Sequence, residues 1–147
     1  MKVETTPRAL QAMKRHAGRD YPHECCGFLV GRITRAGEKS RLGREAVIEE
    51  ALPTENMNRE RAHDRYEIHP LAYKRLEDSL QGTGREILGF YHSHPDHPSR
   101  PSATDLQLFG GWPGYIYVII GVDGKGRKKK QYRVTAWSLQ EHDLISP

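Results

Sequence analysis

Glu86-Ile87-Leu88-Gly89-Phe90-Tyr91-His92-Ser93-His94-Pro95-Asp96-His97-Pro98-Ser99-Arg100-Pro101-Ser102-Ala103-Thr104-Asp105 is the stretch on which the reading of this chain turns. Its opening residues, Glu86 to Phe90, form a short apolar run of the kind found in buried strands. Continued to His94, that strand puts His92 and His94 on one face, because side chains alternate across a strand with period two. Two imidazoles on one face with a carboxylate soon after are the donor types of a divalent-metal site. Zinc takes nitrogen and oxygen ligands tetrahedrally, and a catalytic zinc keeps one position open.

Pro95, Pro98 and Pro101 stiffen the following loop and deny it regular structure. Ser102 then reads as a helix N-cap, with Asp105 in the first turn and Leu106-Gln107-Leu108-Phe109 continuing the helix. A loop that folds back lays this first turn against the strand end, where Asp105 closes a site with His92 and His94. Each part also has an ordinary structural reading. A His-x-His pair alone is compatible with solvated loop histidines, and Ser102 with Asp105 alone is a capping pair.

Taken together, His92-x-His94, seven residues, Ser102, two residues and Asp105 resemble the signature of the JAMM (MPN-plus) zinc metalloproteases. That family also needs a glutamate upstream, near the start of an early strand. Pro22-His23-Glu24-Cys25-Cys26-Gly27-Phe28-Leu29-Val30-Gly31 resembles its glutamate segment, and the order agrees. The resemblance covers most of the chain. It implies a cytidine-deaminase-like (JAMM/MPN) sandwich, one zinc ion per chain held by His92, His94 and Asp105, and catalysis by Glu24 and Ser102.

At 147 residues the chain reads as a single domain spanning 1–147, with room for a sizeable core. A hydrophobic content of 36% with 29% charged residues describes an ordinary globular protein. The net charge of +4 is mildly basic and is no nucleic-acid signal by itself. No apolar stretch approaches membrane-spanning length and no signal-peptide apolar region opens the chain, so neither membrane nor nucleic acid is expected as a partner and the cytoplasm is the expected location. The two cysteines are adjacent, which disfavours a structural disulfide. Cys25 and Cys26 read as small core residues, with a thiolate at the metal as the lesser reading.

In chain order, Met1 to Glu4 reads as a short strand. A helix follows, capped by Thr5 or Thr6 with Pro7 in its first turn and Leu10, Met13 and Ala17 at helical spacing. Cys25–Ile33 and Arg41–Ala51 read as strands joined by a turn at Ala36-Gly37. Pro53 to His63 reads as a surface loop and Asp64–Ile68 as a short strand. His69 and Pro70 open a second helix, with Tyr73, Leu76 and Leu80 on one face, ended by Gln81-Gly82-Thr83-Gly84. His63 and His69 are assigned to loop and helix start, not to metal. After the Asp105 helix, Gly110–Gly114 makes a turn and Tyr115–Val122 a strand. Asp123-Gly124 is a hairpin signal, and Gln131–Leu139 returns as a strand. Lys125, Arg127, Lys128, Lys129 and Lys130 cluster at that hairpin. A solvated charged tip is the first reading, and docking of an acidic partner the second. The sum is an α/β fold with a mixed, mostly antiparallel sheet and flanking helices.

The expected chemistry is metal-assisted hydrolysis of an amide or isopeptide bond. Glu24 serves as general base, its pKa raised by desolvation, and Ser102 donates a hydrogen bond to the developing oxyanion. The family resemblance implies a ubiquitin-like or sulfur-carrier protein as substrate, and the absence of a long insertion favours a small carrier with a Gly-Gly tail. Two other readings are open. His92-Ser93-His94-Pro95-Asp96-His97 also matches His-x-His-x-Asp-His of metallo-β-lactamase-fold hydrolases, although after His97 only His142 remains for that fold's downstream ligands. A non-catalytic MPN scaffold is the other, disfavoured because every ligand type is present.

Overall fold

In the computed structural model, which describes residues 2–35, 44–112, 114–140 and 143–145, the elements follow in the order β1 (Lys2–Thr5), α1 (Pro7–Asp20), β2 (Cys26–Arg35), β3 (Arg44–Thr54), α2 (Pro70–Ser79), β4 (Glu86–Pro95), α3 (Ala103–Gly110), β5 (Ile116–Asp123), β6 (Gln131–Gln140) and β7 (Asp143–Ile145). The strands form one sheet ordered β1-β3-β2-β4-β5-β6-β7. Two neighbouring pairs, β1–β3 and β4–β5, are parallel, and the others are antiparallel. The expected mixed, mostly antiparallel sheet is what forms.

Helices cover both faces, so the central strands are apolar on both sides. On one face α1 packs Ala9, Met13 and Ala17 against Leu29, Tyr91, Val118 and Ile120. Thr6 caps that helix by accepting the Ala9 N–H at 3.2 Å, and Pro7 occupies its first turn. On the other face α2 and α3 pack over Phe28, Phe90, Tyr117 and Ile119, with the Phe109 ring stacked 3.7 Å from Tyr117. Alternation along β4 therefore sends Tyr91 towards α1, and Phe90, His92 and His94 towards α2 and α3. Gly89 lets β4 lie against β5, because a Cβ there would strike the Ile116 backbone.

Three boundaries depart from expectation. Asp64–Ile68 is no strand: the turn at Arg61–Arg65 and the Asn56 side chain take its backbone groups instead. The Asn56 amide donates to Arg65 O at 2.9 Å and accepts Glu67 N–H at 3.1 Å, and Met57 N–H donates to Glu67 O at 2.9 Å, so one side chain and one backbone bond take the place of a neighbouring strand. The β3 strand runs through Pro53 to Thr54. Proline is tolerated there because β1 pairs only with Glu45–Ile48, leaving that stretch of β3 without a neighbour on that side. Three residues, Asp143–Ile145, add β7 against β6, too few for an alternation to be legible. The expected turn at Ala36-Gly37 and the start of the second strand at Arg41 lie outside the described residues. Among the described residues no helix is long and apolar enough to cross a membrane.

Candidate active site

The end of β4, the start of β2 and the first turn of α3 meet at one rim of the sheet. Cys26 pairs with His92 across β2 and β4, so Glu24, two residues earlier, emerges beside the histidine pair. The Glu24 backbone is held by Ala62 O, which accepts its N–H at 2.6 Å, and by the Asn56 amide, which donates to its carbonyl at 3.2 Å. Ser93, pointing the other way, binds the Cys25 N–H through its hydroxyl at 2.8 Å and locks the two strand ends together.

His92, His94 and Asp105 converge. Nε2 of His92 and Nε2 of His94 are 3.1 Å apart, and Oδ2 of Asp105 lies 3.2 Å from the first and 2.9 Å from the second. All three residues are buried. Zinc bonds of about 2.0–2.2 Å put tetrahedral ligand atoms about 3.4 Å apart, so the trio has nearly the spacing of one face of such a tetrahedron. The His94 tautomer sharpens the fit. Its Nδ1 donates to Pro98 O at 2.8 Å, leaving the Nε2 lone pair facing a carboxylate oxygen. Two acceptors in contact need a cation or a proton between them, and the second ring nitrogen bound to a carbonyl is how metal-ligating histidines are oriented.

The charges follow this geometry. Burial opposes ionisation of Asp105, but both histidines and the Ser102 N–H hold its carboxyl far below the usual range. Burial pushes His92 down against the pull of Asp105. For His94 burial also pushes down, but Asp105 and the Pro98 carbonyl outweigh it and the ring is raised. Glu24, 6% exposed, is pushed up to about 8, chiefly by desolvation and further by Asp105 and Asp64, against the pull of His94. It borders a groove of about 820 Å³ with His23, Asn56 and Ala62.

Ser102 caps α3 in a reciprocal box: its hydroxyl accepts Asp105 N–H at 3.0 Å, and its own N–H donates to Asp105 Oδ2 at 2.9 Å. Capping and convergence on the histidines are thus the same piece of geometry. The Ser102 hydroxyl accepts in that box, so its proton is free to point elsewhere.

Asp96 goes the other way. It sits at φ 57° and accepts the Tyr21 hydroxyl at 2.6 Å and the N–H groups of Gly124 and Lys125 at 3.0 Å each. The loop after β4 is thereby tied to α1's end and to the β5–β6 hairpin, and His97 is exposed. Together with the one seven-stranded sheet that the described residues form, this turns Asp96 and His97 away from the place the His-x-His-x-Asp-His reading needs them. Cys25 and Cys26 are free and fully buried; burial pushes the Cys25 thiol up to about 12 and Cys26 higher still, as expected of core thiols.

Tyr66 escaped the sequence reading. Its ring stacks on His92 with centroids 4.3 Å apart, while Nδ1 of His92 is buried without a hydrogen-bond partner among the described residues. Its segment reads as a short strand in the sequence, and the local signal is one aromatic residue among polar neighbours. Tyr66 also borders an apolar pocket of about 390 Å³, walled by Tyr73, Phe90, Leu108, Trp112 and Tyr117 between α2 and α3.

Residues 6–140 match the family described as prokaryotic homologues of the JAB domain. The chain is 33% identical over 109 residues to desampylase of Haloferax volcanii, covering 74% of this chain and 70% of that one. It is 32% identical over 119 residues to a probable TtuB-protein conjugate cleaving protease of Thermus thermophilus, covering 80% and 70%. The solution structure of protein DSY2949 from Desulfitobacterium hafniense superposes with a TM-score of 0.77 at 24% identity, covering 99% of this chain and 89% of that one. With the family pattern spanning nearly the whole sheet and all three helices, the chain belongs to the prokaryotic homologues of the JAB domain, as a compact JAMM/MPN-type member.

Proposed function

We propose that this protein is a zinc-dependent hydrolase that cleaves an amide or isopeptide bond at the C-terminal tail of a ubiquitin-like or sulfur-carrier protein. His92, His94 and Asp105 hold one zinc ion per chain, Glu24 is the general base, and Ser102 steadies the oxyanion. The observation that carries this reading is the mutual spacing of 2.9–3.2 Å among three buried donor atoms, one with its lone pair fixed by Pro98 O. Zinc in such a site supplies a Lewis acid that brings the pKa of water to about 7.

The chain's own residues do the rest. Glu24, desolvated beside the trio, takes the proton of the attacking water and later gives it to the leaving amine. The Ser102 hydroxyl, with its proton unspent on the helix cap, donates to the carbonyl oxygen as negative charge grows there. An extended tail fits the rim where β2 and β4 end, with strand-like backbone pairing as one mode of capture. The substrate class is carried by similarity to a desampylase and to a TtuB-conjugate cleaving protease.

The test is to incubate the zinc-loaded protein with small ubiquitin-like carriers bearing C-terminal extensions and to read product masses. Cleavage after the carrier's terminal glycine, lost in Glu24→Gln, is the expected result. Stoichiometric zinc with no cleavage of any carrier would return the protein to the scaffold reading.

A further inference from the structure

The basic character of this chain is local. Residues 123–133 carry six Lys and Arg side chains and one Asp, whereas the rest of the chain carries 17 Lys and Arg against 18 Asp and Glu. Apart from the β5–β6 hairpin, then, the protein is nearly neutral. Lys125, Arg127, Lys128 and Lys129 are exposed, and among the described residues only Arg127 of these four is ion-paired, to Asp123. At the hairpin's base, exposed Arg100 and Arg133 border a groove of about 830 Å³ with His97, Thr135 and Trp137.

This surface is fastened to the reaction rim. Asp96, two residues after His94, accepts the backbone N–H groups of Gly124 and Lys125. The loop bearing Ser99 and Arg100 is held over β5 and β6, with the Ser99 carbonyl accepting from Thr135 Oγ1 and Trp137 Nε1. Cations and groove therefore sit at a fixed position on the rim that carries the ligand cluster, within the surface open to the folded body of a tail-bearing substrate.

We infer that the β5–β6 hairpin and the groove at its base dock an acidic face on the folded body of the substrate protein; this rests on the hydrolase reading above. A nucleic acid fits less well. Binding of single strands uses free aromatic faces, whereas Lys130 lies 5.4 Å over the Tyr21 ring and Trp137 packs against the apolar cluster under α2 and α3. A membrane fits less well too, because Asp123–Gln131 has no apolar side chain to insert beyond Val122, which is buried in β5.

The experiment compares wild type with K128E/K129E on two probes: an acidic ubiquitin-fold protein with a C-terminal extension, and a peptide copying its tail alone. On the intact protein the variant loses about tenfold in kcat/KM with kcat kept, and its salt dependence flattens, as for an electrostatically steered encounter. On the peptide the two enzymes are equal, and K128R/K129R matches wild type on both probes. Affinity for the intact protein, read by fluorescence anisotropy, falls alongside, so docking is scored even if no bond is cut and hydrolysis fails separately. Equal affinity and equal salt dependence for wild type and K128E/K129E would overturn the inference, as would a short DNA duplex or anionic vesicles outcompeting the acidic protein for the hairpin.

Discussion

Ser102 and Asp105 hold each other by two reciprocal hydrogen bonds, and the Asp105 oxygen that closes the pair is the one that faces both histidines. Ser102 thus has two separable duties. Ser102→Ala removes cap and hydroxyl together, and is expected to cost about 1 kcal/mol of stability. Ser102→Gly costs only about a few tenths of a kcal/mol of helix stability. Both variants should lose about 10²–10³ in kcat if the hydroxyl serves the oxyanion. Thermal melts and kcat measured side by side check this. Activity loss that tracks the melting temperature would reduce Ser102 to a cap.

Glu24→Gln preserves shape and removes the base. The expected outcome is one zinc per chain by metal analysis, with turnover down by about 10²–10⁴. Normal turnover in this variant would move the proton-transfer role elsewhere.

What was readable in the sequence was what local spacing dictates. Period two placed His92 and His94 on one face, and three-residue spacing paired Ser102 with Asp105 in a cap. What was not readable depends on partners distant in the chain. Asn56 reaches Glu24 from 32 residues away, and Asp96 reaches the hairpin 28 and 29 residues on. Neither residue type announces such a partner, and nothing local in Asp64–Ile68, read as a strand, reveals the Asn56 amide that occupies its backbone.

Asp96 and Asp105 are nine positions apart and have opposite work. Asp105→Ala should abolish zinc binding. Asp96→Ala should retain zinc and destabilise the fold by about 0.5–1.5 kcal/mol, because the Gly124 and Lys125 N–H groups and the Tyr21 hydroxyl exchange an exposed carboxylate acceptor for water. Metal content and denaturant midpoints of the two variants separate the roles. Zinc loss in Asp96→Ala at normal stability would contradict the assignment.

Tyr66 holds the His92 ring by its face, at a histidine whose Nδ1 has no hydrogen-bond partner among the described residues. An aromatic contact of this kind is worth about 0.5–1.5 kcal/mol beyond buried area, or roughly two- to tenfold in affinity. Tyr66→Leu should weaken zinc binding by about that factor, whereas Tyr66→Phe should leave it unchanged. Competition titration with a zinc chelator reads the difference, and a Tyr66→Phe defect equal to that of Tyr66→Leu would assign the effect to the hydroxyl.

Glu24 also makes the metal-free protein sensitive to pH in a direction opposite to a salt-bridged acid. Its pKa rises from an ordinary 4.5 to about 8 in the folded chain, mainly by desolvation. Below 4.5 both folded and unfolded chains hold the proton, and nothing is lost. Between 4.5 and about 8 the folded protein retains a proton that the unfolded chain has released, so stability falls as pH rises, and above about 8 the penalty stays constant. A shift of this size corresponds to roughly a few kcal/mol. Glu24→Gln has no charge to bury, so metal-free Glu24→Gln should match metal-free wild type near the acid end of that window and exceed it increasingly towards the alkaline end. Melting both proteins in chelator across the window measures the gap directly. A gap that stays constant or narrows with rising pH would mean that Glu24 is solvated in the metal-free protein, and its fitness as a buried base would go with it.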